Sequence, residues 1–426
     1  MRVKRNMIRI FHVCMVLFLF AAGFFGLNRL TMRKEAVVRN RELYDRGAEY
    51  DVLFIGNSHM INAVFPMQLY RDYGITSYNV GRYGHYIPES YYVLEDALQH
   101  TNPKLVVIDT FMINRDEKMR NDQIGINFSH TTMDSIPFSP RKIRAVLDLQ
   151  PDAAYRRELL FPYSVYHNRW EELGEEDFAP VITKEKGAVT GRKVYSYDGE
   201  GVAAAETLSE TADLQGTGVR YLEKMTELCR ERGIAVLLVY LPYPDGGDEV
   251  LMADRTADQP LTAAFAAQSG IPYINFMETA CWSPDTDFAD QEHMNFLGGQ
   301  KITAAVGAYL QENYSLTDHR QDALGGAWNR DYEAYFLEKQ QALLEEDDAA
   351  CLLMLCHDRD LQVSVSLPPD FAAGERKLEC LLAGLEDVSY TEDADGLRIV
   401  VSERETGAVI GEKTFVRETE ITEREE

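Results

Sequence analysis

Short apolar runs alternate with helix-like stretches through the middle of the chain. The runs that we interpret as strands are Asp51–Ile55, Ile75–Val80, Lys104–Asp109, Ile234–Leu241 and Ile271–Phe276. Apolar residues recur at helical spacing in Pro88–His100, Gly218–Arg232, Leu261–Ser269 and Gly298–Asn313. Buried strands that alternate with helices predict an α/β fold, in which a parallel sheet is covered by helices on both faces.

One long segment interrupts this alternation. From about residue 115 to about residue 215 the chain is polar, contains several prolines and carries aromatic residues such as Trp170. This pattern predicts an insertion between the third and fourth strands. Such an insertion either shapes a substrate cleft or only caps the surface.

The C-terminal part of the chain has a different pattern. We predict helices over Tyr332–Glu346 and Gly374–Leu385, strands over Cys351–Cys356 and Leu361–Leu367, and a closing hairpin of Leu397–Ser402 and Ala408–Phe415. A charged tail, ETEITEREE, follows. Strands and helices mixed in this way predict a small α+β accessory domain.

The N-terminal segment Ile8–Leu27 is almost wholly apolar. Its roughly twenty residues are enough for a helix to cross a hydrocarbon core about 30 Å thick. Basic residues before the segment favour a cytoplasmic N-terminus, although basic residues also follow it. A cleaved signal peptide is the alternative, but the run is long and Ala21–Gly23 makes a poor cleavage site. We therefore predict an uncleaved, single-pass anchor in the cell membrane, with the remaining chain outside the cytoplasm.

These patterns divide the chain into an ordered series of parts. We predict a cytoplasmic N-terminus (1–7), a transmembrane anchor (8–28), a stalk (29–47), an α/β domain (48–315) with its insertion at about 115–215, and the accessory domain (316–426).

The net charge of the chain is −26 and is unevenly distributed. Residues 1–34 contain seven basic residues and no acidic one, so the remainder is seven charges more negative than the whole chain, at −33. A body this acidic repels phosphate backbones, which argues against a nucleic-acid partner. The cysteines show no C-x-x-C spacing, so a structural zinc site has no support. We expect neither a metal nor a cofactor.

The first motif with chemical meaning follows the first predicted strand. Gly56, Asn57 and Ser58 form a turn from that strand into a helix. Such a turn places the serine at the carboxyl edge of the sheet, where open α/β folds bind ligands, and its backbone N–H groups can stabilise an oxyanion. Serine in this position is also a common helix N-cap.

The second motif lies between the fifth strand and the last helix of the alternation. Asp290 and His293 are spaced so that the carboxylate can hold the imidazole. The imidazole could then remove the proton of Ser58, which makes these residues candidates for a catalytic triad. Alone, D-x-x-H is equally typical of half a metal site or of a surface turn.

Taken together, the motifs resemble those of the SGNH/GDSL hydrolase superfamily. Gly56-Asn57-Ser58-His59 is similar to the first motif in the alginate acetyltransferase-like and D-alanyl-lipoteichoate transfer-like branches, and Asn79-Val80-Gly81-Arg82-Tyr83-Gly84 resembles the second motif, N-x-G-x-x-G. Asp290 and His293 match the last motif. The resemblance covers about residues 48–315 and implies a flavodoxin-like, three-layer fold, with an oxyanion hole to which the N–H groups of Ser58 and Gly84 contribute.

One motif of that superfamily is irregular here. Members usually carry Gly-x-Asn-Asp after the third strand, with the asparagine as an oxyanion donor. In this chain Asn114 is the nearest candidate, but the glycine is absent and the spacing is long. We also predict that Asn57, His59 and His85 contact substrate, although His59 could instead only pack beside the nucleophile and His85 could be exposed by chance.

The resemblance implies acyl transfer through an acyl-Ser58 intermediate. We predict an extracytoplasmic esterase or O-acyltransferase that acts on an envelope or secreted polysaccharide, and a membrane-bound O-acyltransferase is the partner that the branches imply. A degenerate glycan-binding scaffold is one alternative, because of the irregular third motif. D-Alanyl transfer to teichoic acid is another, although the acidic body would repel a polyanion.

Overall fold

A computed structural model describes residues 2–34, 38, 41–44, 49–120, 123–179, 184–195, 214–244, 249–392 and 394–416. The predicted charged tail lies outside the described residues. The strands are β1 (Val52–Ile55), β2 (Ser77–Asn79), β3 (Leu105–Asp109), β4 (Ala235–Tyr240), β5 (Tyr273–Asn275), β6 (Leu361–Leu367), β7 (Asp387–Tyr390), β8 (Leu397–Glu403) and β9 (Val409–Phe415).

The α-helices are numbered in the same way. They are α1 (Arg2–Thr31), α2 (Ser58–Ala63), α3 (Pro66–Tyr73), α4 (Ile87–Ala97), α5 (Gln123–Ser135), α6 (Pro140–Leu149), α7 (Ala153–Leu160), α8 (Tyr163–Tyr166), α9 (Glu175–Phe178), α10 (Thr217–Glu231), α11 (Glu249–Ser269), α12 (Phe296–Asn313), α13 (Gly325–Glu345), α14 (Ala349–Cys356) and α15 (Arg376–Ala383). Turns of 3-10 helix occur at Glu42–Tyr44, His167–Glu171 and Phe276–Glu278.

The first five strands form one parallel sheet in the order β2-β1-β3-β4-β5. Phe54 of β1 lies opposite Asn79 of β2 on one side and opposite Val107 of β3 on the other. The predicted α/β fold class is therefore confirmed. The strand order is that of flavodoxin-like, doubly wound sheets, whose ligands bind at the carboxyl ends of the strands.

Alternate residues of each central strand enter two separate cores, one on each face of the sheet. Leu53 and Ile55 lie in the core that α4 and α10 cover, whereas Val52 and Phe54 lie in the core that α12 covers. A strand that is buried on both faces needs a continuous apolar run instead of an alternating one. This is why β1 and β3 carry no polar residue before their last positions.

The N-terminal helix α1 is longer than the predicted anchor. Its segment Lys4–Thr31 is long and apolar enough to cross a membrane, a criterion that a signal sequence also meets. Apolar side chains such as Phe18 and Phe20 are exposed along it. The last turn is different, because Asn28 and Thr31 are buried against the insertion.

The insertion after β3 is largely helical and contains α5 to α9. It is followed by an extended segment, residues 184–195, which we call the strap because it bonds to several parts of the α/β unit. Lys186 O accepts the N–H of Asn79 at the end of β2, and Val189 donates to Ile61 O in α2. The strap thus returns to the carboxyl edge of the parallel sheet.

The C-terminal strands form a second, smaller sheet in the order β7-β6-β8-β9. The prediction of a strand over Cys351–Cys356 is wrong, because Ala349–Cys356 is helix α14. Asp348 caps this helix by accepting the N–H of Cys351 at 2.8 Å. The run consists of alanine, leucine, methionine and cysteine without a β-branched residue, and its apolar length alone could not distinguish a buried helix from a buried strand.

Glu89 is a buried carboxyl group at the start of α4 that gives a first test of this fold. It is 1% exposed, and it accepts the N–H of Tyr86 at 3.0 Å. Burial raises the pKa of Glu89 from 4.5 to about 8. From about pH 5 to pH 8 the unfolded chain therefore loses this proton while the folded chain retains it, so stability falls as the pH rises.

We expect the thermal unfolding midpoint of the wild-type protein in detergent to fall by on the order of 3 °C between pH 5 and pH 8. Glu89→Gln stays neutral and can still accept the N–H of Tyr86, so its midpoint should fall less. A residual slope should remain, because burial also raises the pKa of Asp109, to about 7. Equal slopes for the two proteins, measured by circular dichroism, would contradict the prediction.

Candidate active site

Ser58 is the first residue of α2, directly after β1 and a two-residue turn. Asn57 is the N-cap of α2, and its side-chain oxygen accepts the N–H of His59 at 2.9 Å. The capping role therefore falls to Asn57, which leaves the hydroxyl of Ser58 available for other contacts. Ser58 is 9% exposed.

Two glycines allow neighbouring segments to lie against this turn. A Cβ on Gly56 would stand 2.7 Å from Cβ of Asp109, and one on Gly81 would stand 2.7 Å from Cγ2 of Ile61 and 3.0 Å from the carbonyl oxygen of Gly56. The two distances of 2.7 Å are shorter than side chains tolerate. Glycine at position 56 therefore lets β3 approach the turn closely, and glycine at position 81 does the same for the second motif.

Polar side chains of the second motif hold the Ser58 turn in place. Nδ2 of Asn79 donates to Met60 O at 2.9 Å and to Val64 O at 3.1 Å, which fixes α2 to the end of β2. The guanidinium of Arg82 is buried and donates to Val80 O and Gly81 O.

His85 lies in the interior of the protein and contacts the turn that carries Ser58. It is 1% exposed, and its Nε2 lies 2.5 Å from Gly56 O and 3.0 Å from Oγ of Ser90. Burial and the charge of Arg82 lower the pKa of His85 to about 3, so the ring is neutral and its Nε2–H donates to the Gly56 carbonyl. The predicted substrate contact of His85 has no exposed surface here, and the ring instead supports the nucleophile turn.

The second half of the site lies on the loop between β5 and α12. A short antiparallel bridge pairs Phe288 with Met294, and Ala289 donates to His293 O at 2.8 Å. Asn295 closes the loop, because it caps α12 and its Nδ2 donates to Thr286 O at 2.7 Å. The loop is therefore a closed turn that presents residues 290 to 293.

The predicted triad residues lie within hydrogen-bonding distance of one another. Nε2 of His293 is 2.8 Å from Oγ of Ser58, and Nδ1 of His293 is 3.0 Å from both carboxylate oxygens of Asp290. With Nδ1–H donating to the carboxylate, Nε2 accepts the hydroxyl proton of Ser58. The arrangement can therefore generate a serine nucleophile.

Asp290 is the most exposed member of this chain of contacts. Its side chain is 56% exposed, and that of His293 is 23% exposed. Burial alone would raise the pKa of Asp290, but the hydrogen bond and charge of His293, together with the N–H groups of Glu292 and His293, lower it to about 2. The carboxylate is therefore ionised at any pH at which the imidazole acts as a base.

The strap bonds to both halves of the site. Beyond its bond to Ile61 in the nucleophile helix, Tyr195 donates to Phe288 O and Gly191 O accepts the N–H of Phe296, each at 2.8 Å. A Cβ on Gly191 would stand 2.9 Å from Met294 O. This segment therefore fixes the Asp290–His293 loop relative to α2.

The remaining predicted site residues occupy different surroundings. Gly84 has a φ of 62°, and a Cβ there would stand 2.7 Å from the ring of Phe128 in α5. Asn114 lies in the turn after β3, where its backbone N–H donates to Oδ1 of Asp258 at 3.0 Å. His59 is buried and stacks on Phe111, with ring centroids 4.0 Å apart and an angle of 23°.

Sequence reasoning missed the residues that shape the turn after β3. Asp258 of α11 is buried and accepts the N–H groups of Met112 and Asn114, while Met112 has a φ of 65°. Phe111 takes the position beside His59. Asp258 lies more than a hundred residues from this turn, in a stretch without a motif, so the sequence held no signal for it.

Comparisons with known proteins add little to this geometry. No protein-family model and no curated protein matches the chain. Among the solved structures that match is one from Bacteroides fragilis NCTC 9343, named provisionally as an acylhydrolase. It is 13% identical, the match covers 66% of this chain and 97% of that chain, and the TM-score is 0.30. The assignment of the site therefore depends on the contacts described above.

The close approach of the two motifs can be tested at Gly81. We expect Gly81→Ala to lower the free energy of unfolding by about 1–3 kcal/mol, because the added methyl group must displace Ile61 or the Gly56 carbonyl. Urea unfolding followed by fluorescence measures this.

Gly326→Ala is the matched control. That glycine is exposed near the start of α13, and a Cβ there would meet only the end of the Arg330 side chain, at 3.8 Å. Alanine in a helix should leave stability unchanged or slightly raised. A Gly81→Ala protein as stable as this control would mean that the two motifs are not tightly packed.

Proposed function

We propose that this chain is an SGNH-type serine esterase or O-acyltransferase that works through an acyl-Ser58 intermediate. The observation that carries the proposal is the continuous set of contacts from Ser58 Oγ through the His293 ring to the Asp290 carboxylate. Serine, imidazole and carboxylate in this order are the groups that acyl transfer needs.

The chemistry follows from these contacts in two halves. Ser58 Oγ attacks the carbonyl carbon of an ester while Nε2 of His293 takes the hydroxyl proton, and Asp290 stabilises the imidazolium. His293 then returns the proton to the leaving alcohol as the ester bond breaks. In the second half a water molecule or a sugar hydroxyl loses its proton to His293 and attacks the acyl-serine, which releases Ser58.

The oxyanion of each tetrahedral intermediate needs donors on the opposite side from His293. The first N–H groups of a helix have no partner within that helix, and Asn57 already accepts the N–H of His59. We assign the N–H of Ser58 to the oxyanion, with Gly84 as the second donor. Asn114 stays a candidate for a third donor.

Exposure of the triad bears on whether water or a sugar hydroxyl is the acceptor. The side chains of His293 and Asp290 are both accessible to solvent, so water can reach the acyl-serine whenever no other acceptor covers it. Transfer therefore requires an acceptor that binds across the site and displaces water. A chain of sugars is well suited to this, because it can lie along an open edge.

A polysaccharide of the cell envelope is the substrate class that we propose. It is supported by the apolar helix α1, which would hold the site near a membrane surface, and by the resemblance to acyltransferase branches that act on such polymers. A membrane-bound O-acyltransferase is the partner that would supply the acyl group. The acidic body disfavours teichoic acid, which is itself polyanionic.

We further propose that α1 stays in the mature protein as its anchor. The N–H of Tyr163 donates to Oδ1 of Asn28 at 2.7 Å, and Arg169 donates to Thr31 O and Met32 O at 2.7 and 2.9 Å. Phe24 and Phe25 also pack against Phe161 and Phe138 of the insertion. Removal of the helix would break all of these contacts, which favours an anchor over a cleaved signal.

The catalytic assignment is tested by labelling and by turnover of a model ester. We expect a fluorophosphonate probe to label the wild-type protein at Ser58, and Ser58→Ala to abolish the label. His293→Ala should reduce hydrolysis of p-nitrophenyl acetate by roughly 10³-fold or more, because the serine loses its base. Asp290→Asn should reduce it less, since water already solvates that carboxylate.

Ser164→Ala controls for loss of an exposed serine, and it should keep both labelling and turnover. All variants should unfold at the wild-type temperature, which separates a chemical role from a structural one. A folded wild-type protein that neither reacts with the probe nor releases p-nitrophenol would overturn the enzymatic proposal and favour the glycan-binding scaffold.

The substrate class is tested in cells. We expect the envelope or secreted glycan of cells that carry Ser58→Ala to differ in O-acyl content from that of wild-type cells, whereas Ser164→Ala cells should match the wild type. Mass spectrometry of the isolated polysaccharides measures this. Identical acyl content in all three strains, with the enzyme active on the model ester, would exclude a glycan substrate but would leave the catalytic assignment of Ser58 intact.

A further inference from the structure

A second cleft lies where the end of α1 meets the insertion. Its volume is about 810 Å³, and side chains of α1, α5, α6 and α9 line it. One wall is apolar and is formed mainly by Phe25, Phe138 and Leu160, while the other carries polar and charged groups. The cleft is therefore amphipathic, and the mechanism at Ser58 does not use it.

Lys142, on the polar wall, is the residue that most strongly indicates a ligand. It lies on α6, lines the cleft and is only 3% exposed. Within the described part of the chain, its Nζ makes no hydrogen bond or ion pair. Burial lowers the pKa of Lys142, and the nearby charges of Asp134 and Asp96 offset this only in part. A buried ammonium group without hydrogen-bond acceptors is unfavourable, and an anion in the cleft would supply them.

The local charge of the cleft is positive although the chain as a whole is acidic. Arg29 and Arg41 add cationic side chains to the lining. The carboxylate of Asp177, which also lines the cleft, is already engaged by Arg169 at 3.0 Å and by Lys34 at 3.5 Å. Asp134 is the other carboxylate in the lining. The lining carries four cationic side chains and two carboxylates, so an incoming anion would meet a net positive charge.

The position of the cleft identifies the kind of anion. It lies beside the last turns of the helix that would cross the membrane, and aromatic side chains at its mouth are exposed, including Phe138 at 45% and Phe178 at 69%. Exposed phenylalanine rings on an amphipathic surface can insert at the boundary between head groups and acyl chains. Basic pockets between membrane-spanning helices on the cytoplasmic side bind the head groups of anionic lipids, and the same charge pairing would operate at the outer face.

We propose that this cleft binds an anionic membrane phospholipid, with the phosphate beside Lys142 and an acyl chain along Phe25, Phe138 and Leu160. The phosphate oxygens accept hydrogen bonds from the buried ammonium group, and the acyl chain continues into the bilayer beside α1. The bound lipid fixes the height of the insertion on the membrane.

The lipid site is joined to the candidate active site through α5. Ser135 at the end of α5 lines the cleft, and its Oγ accepts a hydrogen bond from Nε of Arg82 at 3.2 Å. Phe128 of the same helix is the residue that a side chain at position 84 would meet. Phe128 and Ser135 are separated by about 10 Å along the helix axis. The lipid therefore helps to hold the second motif as well as the insertion.

Native mass spectrometry of the full chain in detergent tests the proposal. Phosphatidylglycerol and phosphatidylcholine with the same acyl chains are added in parallel. We expect the wild-type protein to retain phosphatidylglycerol at least about tenfold better than phosphatidylcholine. Lys142→Met should reduce retention of phosphatidylglycerol by about tenfold, because it removes one charge-assisted contact, and Lys142→Arg should retain most of it.

Lys224→Met is the matched control. It removes the same charge from an exposed position on α10, outside the lining of the cleft, and should bind lipid like the wild type. Unfolding temperatures of the variants without added lipid show whether Lys142→Met is folded. Equal retention of the two lipids by the wild type, or equal retention of phosphatidylglycerol by Lys142→Met and Lys224→Met, overturns the proposal.

A soluble source of phosphate is distinguished by competition. Inorganic phosphate and glycerol 3-phosphate should displace the lipid only weakly, because they lack the acyl chain. Displacement by either at a concentration comparable to that of the lipid would mean that the cleft binds a soluble anion instead. Ser58→Ala should bind lipid like the wild type, so failure of the catalytic proposal and failure of the lipid proposal give different results.

Discussion

The hydrogen bond between Ser58 and His293 joins residues that are 235 positions apart, and the candidate chemistry depends on it. Two constraints bring them together. Parallel strands end at one edge of the sheet, so the turn after β1 and the loop after β5 both lie at that edge. The strap then bonds to Ile61 in the nucleophile helix and to Phe288 in the histidine loop. The sheet therefore places both segments at one edge, and the hydrogen bonds of the strap hold Ser58 and His293 close together.

The parallel sheet could be predicted because its strands are buried on both faces and therefore read as continuous apolar runs. The C-terminal region was harder to predict. Ala349–Cys356 is as apolar as the strands of the parallel sheet, and nothing in the local sequence distinguishes a buried helix from a buried strand there. The strap could not be predicted at all. Its residues carry no periodicity, and its backbone bonds are made to partners that are distant in the sequence.

The candidate triad could be predicted because acyl transfer requires particular residue types, and these form a recognisable motif in the sequence. The residues that support the triad are determined by packing, and packing leaves no such motif. His85 shows the difference, because its place after Gly84 suggested a contact with substrate, whereas its ring lies inside and donates to the Gly56 carbonyl. Asp258 likewise holds the turn after β3 from a helix that contains no recognisable signal. Both residues act on the site through the backbone.

The exposure of the candidate triad bears on how a substrate would be selected. A deep pocket selects a substrate by enclosing it, but the side chains of His293 and Asp290 are open to water, so enclosure contributes little here. If the substrate is the proposed polysaccharide, selection depends on which polymer can lie across the carboxyl edge of the sheet at the height that α1 and the insertion would impose. The contacts of Asn28 and Arg169 at the end of α1 fix that height. If the helix stays in the membrane, these contacts influence which substrates can reach Ser58.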